Sequence, residues 1–136
     1  MKKTLLILFV FVALFTSCKK DPENKFKGRW NLAKDLDVTR VNGTIKSEYS
    51  HTYDVGDLYI VFEENRFKVY ENSKLEGEGT FTATDNSITI IDKDGDQEIN
   101  SLRWNAKNEF VLIDEDTETI NGETYNYKYE STFKKH

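Results

Sequence analysis

The chain holds 136 residues, 38% hydrophobic and 32% charged, with 24 acidic against 19 basic side chains and a formal net charge of −5. That length fits one domain, and the acidic balance argues against a nucleic-acid surface, which needs clustered lysine and arginine. A single cysteine, Cys18, excludes an internal disulfide, so the core alone must supply the stability.

The first element is a leader. Met1-Lys2-Lys3 gives a basic start, residues 5–15 are apolar, and Leu14-Phe15-Thr16-Ser17 leads directly into Cys18. This pattern predicts a secretory signal peptide over residues 1–17; the apolar run is shorter than the about 20 residues that a spanning helix needs. The cysteine after the cleavage point resembles the lipobox of bacterial lipoproteins, with Phe15 where leucine is usual. The resemblance implies that the Cys18 thiol carries diacylglycerol, that the leader is removed and that the new amine is acylated, palmitate being a typical chain. Two or more acyl chains hold a protein stably to a membrane. The leader carries two lysines and no acid, so its loss takes the net charge from −5 to −7.

Residues 18–26 then read as the lipidated cysteine and a flexible polar tether that includes the only proline, Pro22. Lys19 and the acids after it resemble outer-membrane sorting and surface-export signals of Gram-negative lipoproteins. They imply a lipid-anchored outer-membrane protein, facing the surface or the periplasm.

From residue 27 to 136 the pattern is alternation with period two. Trp30, Leu32, Leu36 and Val38 share even positions, with Lys34 on the same face, and Asn42-Gly43 follows as a hairpin turn. Ile45, Tyr49, His51 and Tyr53 share odd positions; Leu58, Ile60 and Phe62, then Phe67 and Val69, mark two more strands. Leu75, Gly77, Gly79, Phe81 and Ala83 share one face, and the paired glycines predict a bend or bulge. Ser87 to Ile91 follows, and the change of parity from Ile99 to Leu102 and Trp104 predicts a bulge near Asn100. Phe110 to Ile113 precedes Asn121-Gly122 and a last strand with Tyr125, Tyr127, Tyr129 and Phe133. Eight, or nine, short strands at hairpin spacing predict an all-β antiparallel up-and-down barrel.

Lys27-Gly28-Arg29-Trp30-Asn31-Leu32 resembles the Gly-x-Trp signature of lipocalin-like proteins. Glu78 to Thr82, Ser87 to Ile90 and Glu109 to Leu112 resemble the middle and late strands of bacterial lipocalin-like lipoproteins, so that the likeness covers residues 27–134. It implies that Gly28 and Trp30 are structural, with Trp30 plugging the closed end. The Thr-x-Arg that many lipocalins carry near the last strands is missing, so Arg103 or Lys134 is expected over the indole.

No nucleophile elbow, zinc-protease or phosphate-loop motif is present, which makes a non-enzyme the expectation, with no cofactor. Asp92-Lys93-Asp94-Gly95-Asp96 lacks the sixth-position glycine and twelfth-position glutamate of a calcium loop, and a hairpin turn accounts for it. His51 and Lys34 are each read either as structural groups or as polar anchors for a ligand. Tyr125, Tyr127 and Tyr129, together with Tyr49 and Tyr53, serve a lumen if they face in and a protein partner if they face out. The expectation is a monomer anchored to a membrane that binds a small hydrophobic ligand. The alternative is a filled barrel that serves as an interaction module for an envelope protein.

Overall fold

The computed structural model describes residues 21–136; the leader, Cys18 and the first tether residues lie outside the described residues. A short 3-10 turn, Pro22–Lys25, precedes β1 (Gly28–Val41), β2 (Thr44–Thr52), β3 (Leu58–Glu63), β4 (Arg66–Glu71), β5 (Lys74–Ala83), β6 (Ser87–Asp92), β7 (Gln97–Ala106), β8 (Glu109–Ile120) and β9 (Glu123–Lys135). β9 returns to pair with β1, so that β1 and β3 through β9 form a closed antiparallel ring of eight strands. Closure removes the open edges within the ring. The ninth strand has a simple origin. β2 and β3 both pair antiparallel with the same edge of β1, β2 at Lys34 to Val41 and β3 at Gly28 to Asn31. They are one strand direction broken at residues 53–57, and β2 is the part that stands above the ring.

Local chemistry sets the corners. Asn42-Gly43 (φ 50° and 81°) and Asn121-Gly122 (φ 51° and 82°) adopt the paired left-handed conformations that tight hairpins require. At Gly79, β5 crosses β6 so closely that a Cβ would lie 2.0 Å from the Ile91 carbonyl oxygen. Only glycine admits that approach.

Four bulges redirect side chains, one of them at Lys46 in β2, which places Ile45 opposite Arg40 and off the face of Tyr49 and His51. In β1 the register passes from Leu32↔Phe133 to Lys34↔Thr132, so that Ala33 is the extra residue. Trp30 and Leu32 therefore share the lumen face with Phe133, but beyond the bulge that face is taken by Asp35 and Asp37. Lys34, Leu36 and Val38 take the opposite face, where Lys34 is exposed, Leu36 half-buried and Val38 buried. In β5 the extra residue is Glu76, and Leu75 pairs with Tyr70 and leaves the face of Phe81. The bulge expected at Asn100 is absent: β6 and β7 pair without interruption from Ser101 to Gln97. Ile99 is simply outside, and the polar Asn100 shares the inner parity of Leu102; the bulge of β7 lies at Asn105.

One half of the barrel is solid. Phe26, Trp30, Phe62, Phe81, Ile88 and Phe110 are almost wholly buried there, in a cluster that also holds Leu32, Ile60, Phe67, Leu102 and Phe133. Phe26 sits at its centre, with ring centroids 5.1–5.7 Å from Phe62, Phe81, Trp104 and Phe110. Residues 22–26 are thus part of the domain and not a free tether. A ring in the middle of four others gains more from burial than a polar linker loses in ordering. Two contacts hold this cap: Lys25 pairs with Asp85 at 2.8 Å, and the Ala83 N–H donates to Glu23 Oε1 at 3.1 Å.

Trp30 is fully buried in this half. Its Nε1 donates to the Phe26 carbonyl, and Phe110 and Trp104 meet it edge-on. The cation over the indole is Lys135, with Nζ 5.3 Å from the ring centroid, and neither Arg103 nor Lys134. Alternation explains the difference, because Lys135 shares the face of Phe133 whereas Lys134 points out to Glu109. Arg103 is likewise outside, and both its terminal nitrogens donate to Glu130. Gly28 opens β1 at φ +115°, and its bare Cα lies beneath the Lys135 side chain.

Candidate functional site: the open end

The opposite end is built differently because its strands are unequal. β1, β8 and β9 run past the ring, and with β2 they form a four-stranded sheet in the order β2-β1-β9-β8 that overhangs the mouth. β7 stops pairing with β8 at Ser101↔Ile113, and the two strands part above that point. A half-open cavity of about 350 Å3 occupies the gap, lined by Ile90, Glu98, Asn100, Leu112, Asp114, Tyr129, Ser131 and Phe133. Its floor is apolar (Ile90, Leu112, Phe133) and its wall polar.

Behind the wall lies Asp35, a carboxylate only 8% exposed. It accepts from the Tyr53 hydroxyl and from the Ser131 hydroxyl, each at 2.7 Å. Asn100, also buried, donates through Nδ2 to Glu98 Oε1 at 2.8 Å. The hydrogen bond to Asp35 stabilises the neutral phenol of Tyr53, and burial adds to it, so that its pKa is pushed up to about 12. Tyr129 is also raised, first by burial and then by Asp35.

Above the cavity the lumen-side face of the overhang continues in the same style. Register places His51 opposite Asp35, Tyr49 opposite Asp37, and Asp37, Thr39 and Val41 opposite Tyr129, Tyr127 and Tyr125. Asp114, Asp116 and Glu118 of β8 face those tyrosines in turn. Tyr127 donates to Glu118 at 2.7 Å and stacks on Tyr125, and His51 meets Tyr53 edge-on at 4.6 Å. Contact with Glu118 raises the Tyr127 pKa, and the charge of Glu123 raises that of Tyr125.

The structure therefore brings most of the sequence-selected residues to one face. Tyr129 lines the cavity and Tyr53 bonds to Asp35 behind its wall, while above it Tyr49, His51 and Tyr127 are exposed and Tyr125 is half-buried. Lys34 is the exception. The bulge at Ala33 sends it to the outer surface, where it is exposed and has no part in the cavity. Asp35, Glu98, Asn100, Asp114 and Ser131 were not selected from the sequence. A parity count that allowed for a bulge after Leu32 would have exposed Asp35, and the straight even run Asn100, Leu102, Trp104 already points Asn100 inward. Among the described residues, no group of three or more His, Cys, Asp or Glu side chains is placed to hold a metal ion.

The Tyr53–Asp35 pair makes one outcome measurable. Folding holds the Tyr53 phenol at about 12 against an ordinary 10.0. A raised folded pKa stabilises the fold fully below the unfolded value and ceases to do so as pH climbs through the folded one. Stability is expected to fall between pH 10 and 12, and Asp35→Asn or Tyr53→Phe to remove that part of the fall. Phenolate difference spectra with denaturant melts at each pH check it.

No protein-family profile, curated protein or solved structure matches the chain.

Proposed function

We propose that this chain is a lipid-anchored lipoprotein of the bacterial outer membrane whose lipocalin-like barrel binds or carries a small, largely apolar ligand in the open-end cavity. The observation that carries the reading is that cavity: about 350 Å3, with an apolar floor and a few convergent polar groups. Small-molecule sites have this size and make-up. The filled closed half supplies a rigid base, and the anchor rests on the leader and Cys18.

Native mass spectrometry of the Cys18→Ser form, purified gently from its host without detergent, tests the ligand. An adduct of constant mass is expected, together with its loss in Leu112→Trp, which fills the floor. A bare protein that also takes up no fluorescent apolar probe overturns the reading. The unsubstituted protein is expected to incorporate labelled palmitate and sediment with membranes, and the Cys18→Ser form to do neither.

A second reading, an interaction module for an envelope protein, is favoured by one feature. Both outer edges of the overhang, β2 and the Asp114 end of β8, lack a strand partner. Exposed edges of this kind accept a strand from another chain. A bare barrel that captures a protein at the envelope would support it.

A further inference from the structure

The open-end cavity and the sheet above it share a charge pattern that narrows the ligand. Glu98 and Asp114 line the cavity, and Asp35 lies buried behind Ser131. Asp37, Asp116 and Glu118 continue along the lumen-side face among Tyr125, Tyr127 and Tyr129. Among the described residues, no lysine or arginine lines the cavity or occupies those register positions.

The cations are elsewhere. The five ion pairs among the described residues join Lys25, Lys74, Arg103, Lys128 and Lys134 to Asp85, Glu76, Glu130 and Glu109, and none involves a carboxylate of the cavity. Asp35 is more than nine-tenths buried, yet its two partners are neutral hydroxyls. Burying a carboxylate is costly unless a positive charge compensates it. Lys34, next to Asp35 in the chain, lies on the opposite face of β1 and cannot compensate it.

We infer that the cavity takes an organic cation: an ammonium group beside Glu98 and Asp114, which line it, with its apolar body on Ile90, Leu112 and Phe133. The tyrosine rings above supply π faces that favour such a group. The apolar floor disfavours a bare metal ion, and among the described residues no three His, Cys, Asp or Glu side chains group to hold one. An anionic lipid would meet like charge at the wall with no basic group to receive it.

The inference rests on the ligand-binding reading above, and three probes separate the two. Dansylcadaverine carries an ammonium on an apolar body, its N-acetyl derivative is neutral, and dansyl-6-aminohexanoate is anionic. Fluorescence titration of the detergent-free Cys18→Ser protein is expected to rank ammonium over neutral by about tenfold or more, with the anion weakest. Added salt is expected to narrow the ratio. The double variant Glu98→Gln/Asp114→Asn is expected to bring the ammonium-to-neutral ratio near one, while the outer-face variant Glu115→Gln leaves it unchanged. Equal binding of the three probes, or preference for the anion, overturns the cation and leaves the cavity standing. Binding of none overturns both.

Discussion

Gly79→Ala is expected to destabilise the barrel by about 3 kcal/mol or more, near the upper end of what overpacking costs. A methyl at this position would lie 2.0 Å from the Ile91 carbonyl oxygen, 2.9 Å from the Asp92 Cα and 2.9 Å from the Phe67 ring. Two of those neighbours are backbone, so relief requires β5 and β6 to separate where they cross. For a domain of this size the melting temperature should drop by roughly 10–15 °C. Gly77, two residues away, gives the control, because a Cβ there meets nothing within 4 Å. Gly77→Ala is expected to be neutral or to gain a few tenths of a kcal/mol from a stiffer unfolded chain. Thermal and denaturant melts of the two variants check the contrast, and equal behaviour would refute the close crossing.

Phe26→Ala is the second large effect. A polar tether would tolerate the change, whereas the loss of a fully buried ring packed against four others costs about 3–5 kcal/mol. The cost should include loosening of Trp30, whose Nε1 donates to the Phe26 carbonyl and so depends on where that residue is held. Trp30 emission is expected to shift to the red alongside the loss in stability. A silent substitution would return residues 22–26 to a linker.

The two cases mark where the residues spoke clearly and where they did not. Strand number and hairpin turns were legible because each depends on local chemistry: alternation and Asn-Gly pairs. Phe26 was missed because it stands alone among Asn24, Lys25 and Lys27, with no periodicity to reveal the four rings that come to it from distant strands. The faces beyond the bulges at Ala33 and Glu76 were misassigned for one reason. A single extra residue inverts every later side chain; nothing at Ala33 signals a bulge, whereas Gly77 and Gly79 marked one in β5 without fixing it at Glu76. Lys34 moved out of the candidate site and Asp35 moved in by that same inversion. Asn100 was legible only to a reader willing to place an amide inside.

The docking of Phe26 also fixes a distance. An anchor at Cys18 would leave only Lys19 and Lys20 before Asp21, a span of roughly 10 Å at full stretch. If Cys18 is the anchor we propose, the solid end would ride just above the headgroups on so short a leash. β1 is 14 residues long, roughly 35 Å upright after allowance for barrel tilt. The mouth then stands several screening lengths clear of any anionic lipid. What enters the cup of a barrel so anchored would come from water and not sideways from the bilayer: such a barrel would be a snorkel held up from the membrane and not a ladle dipped into it.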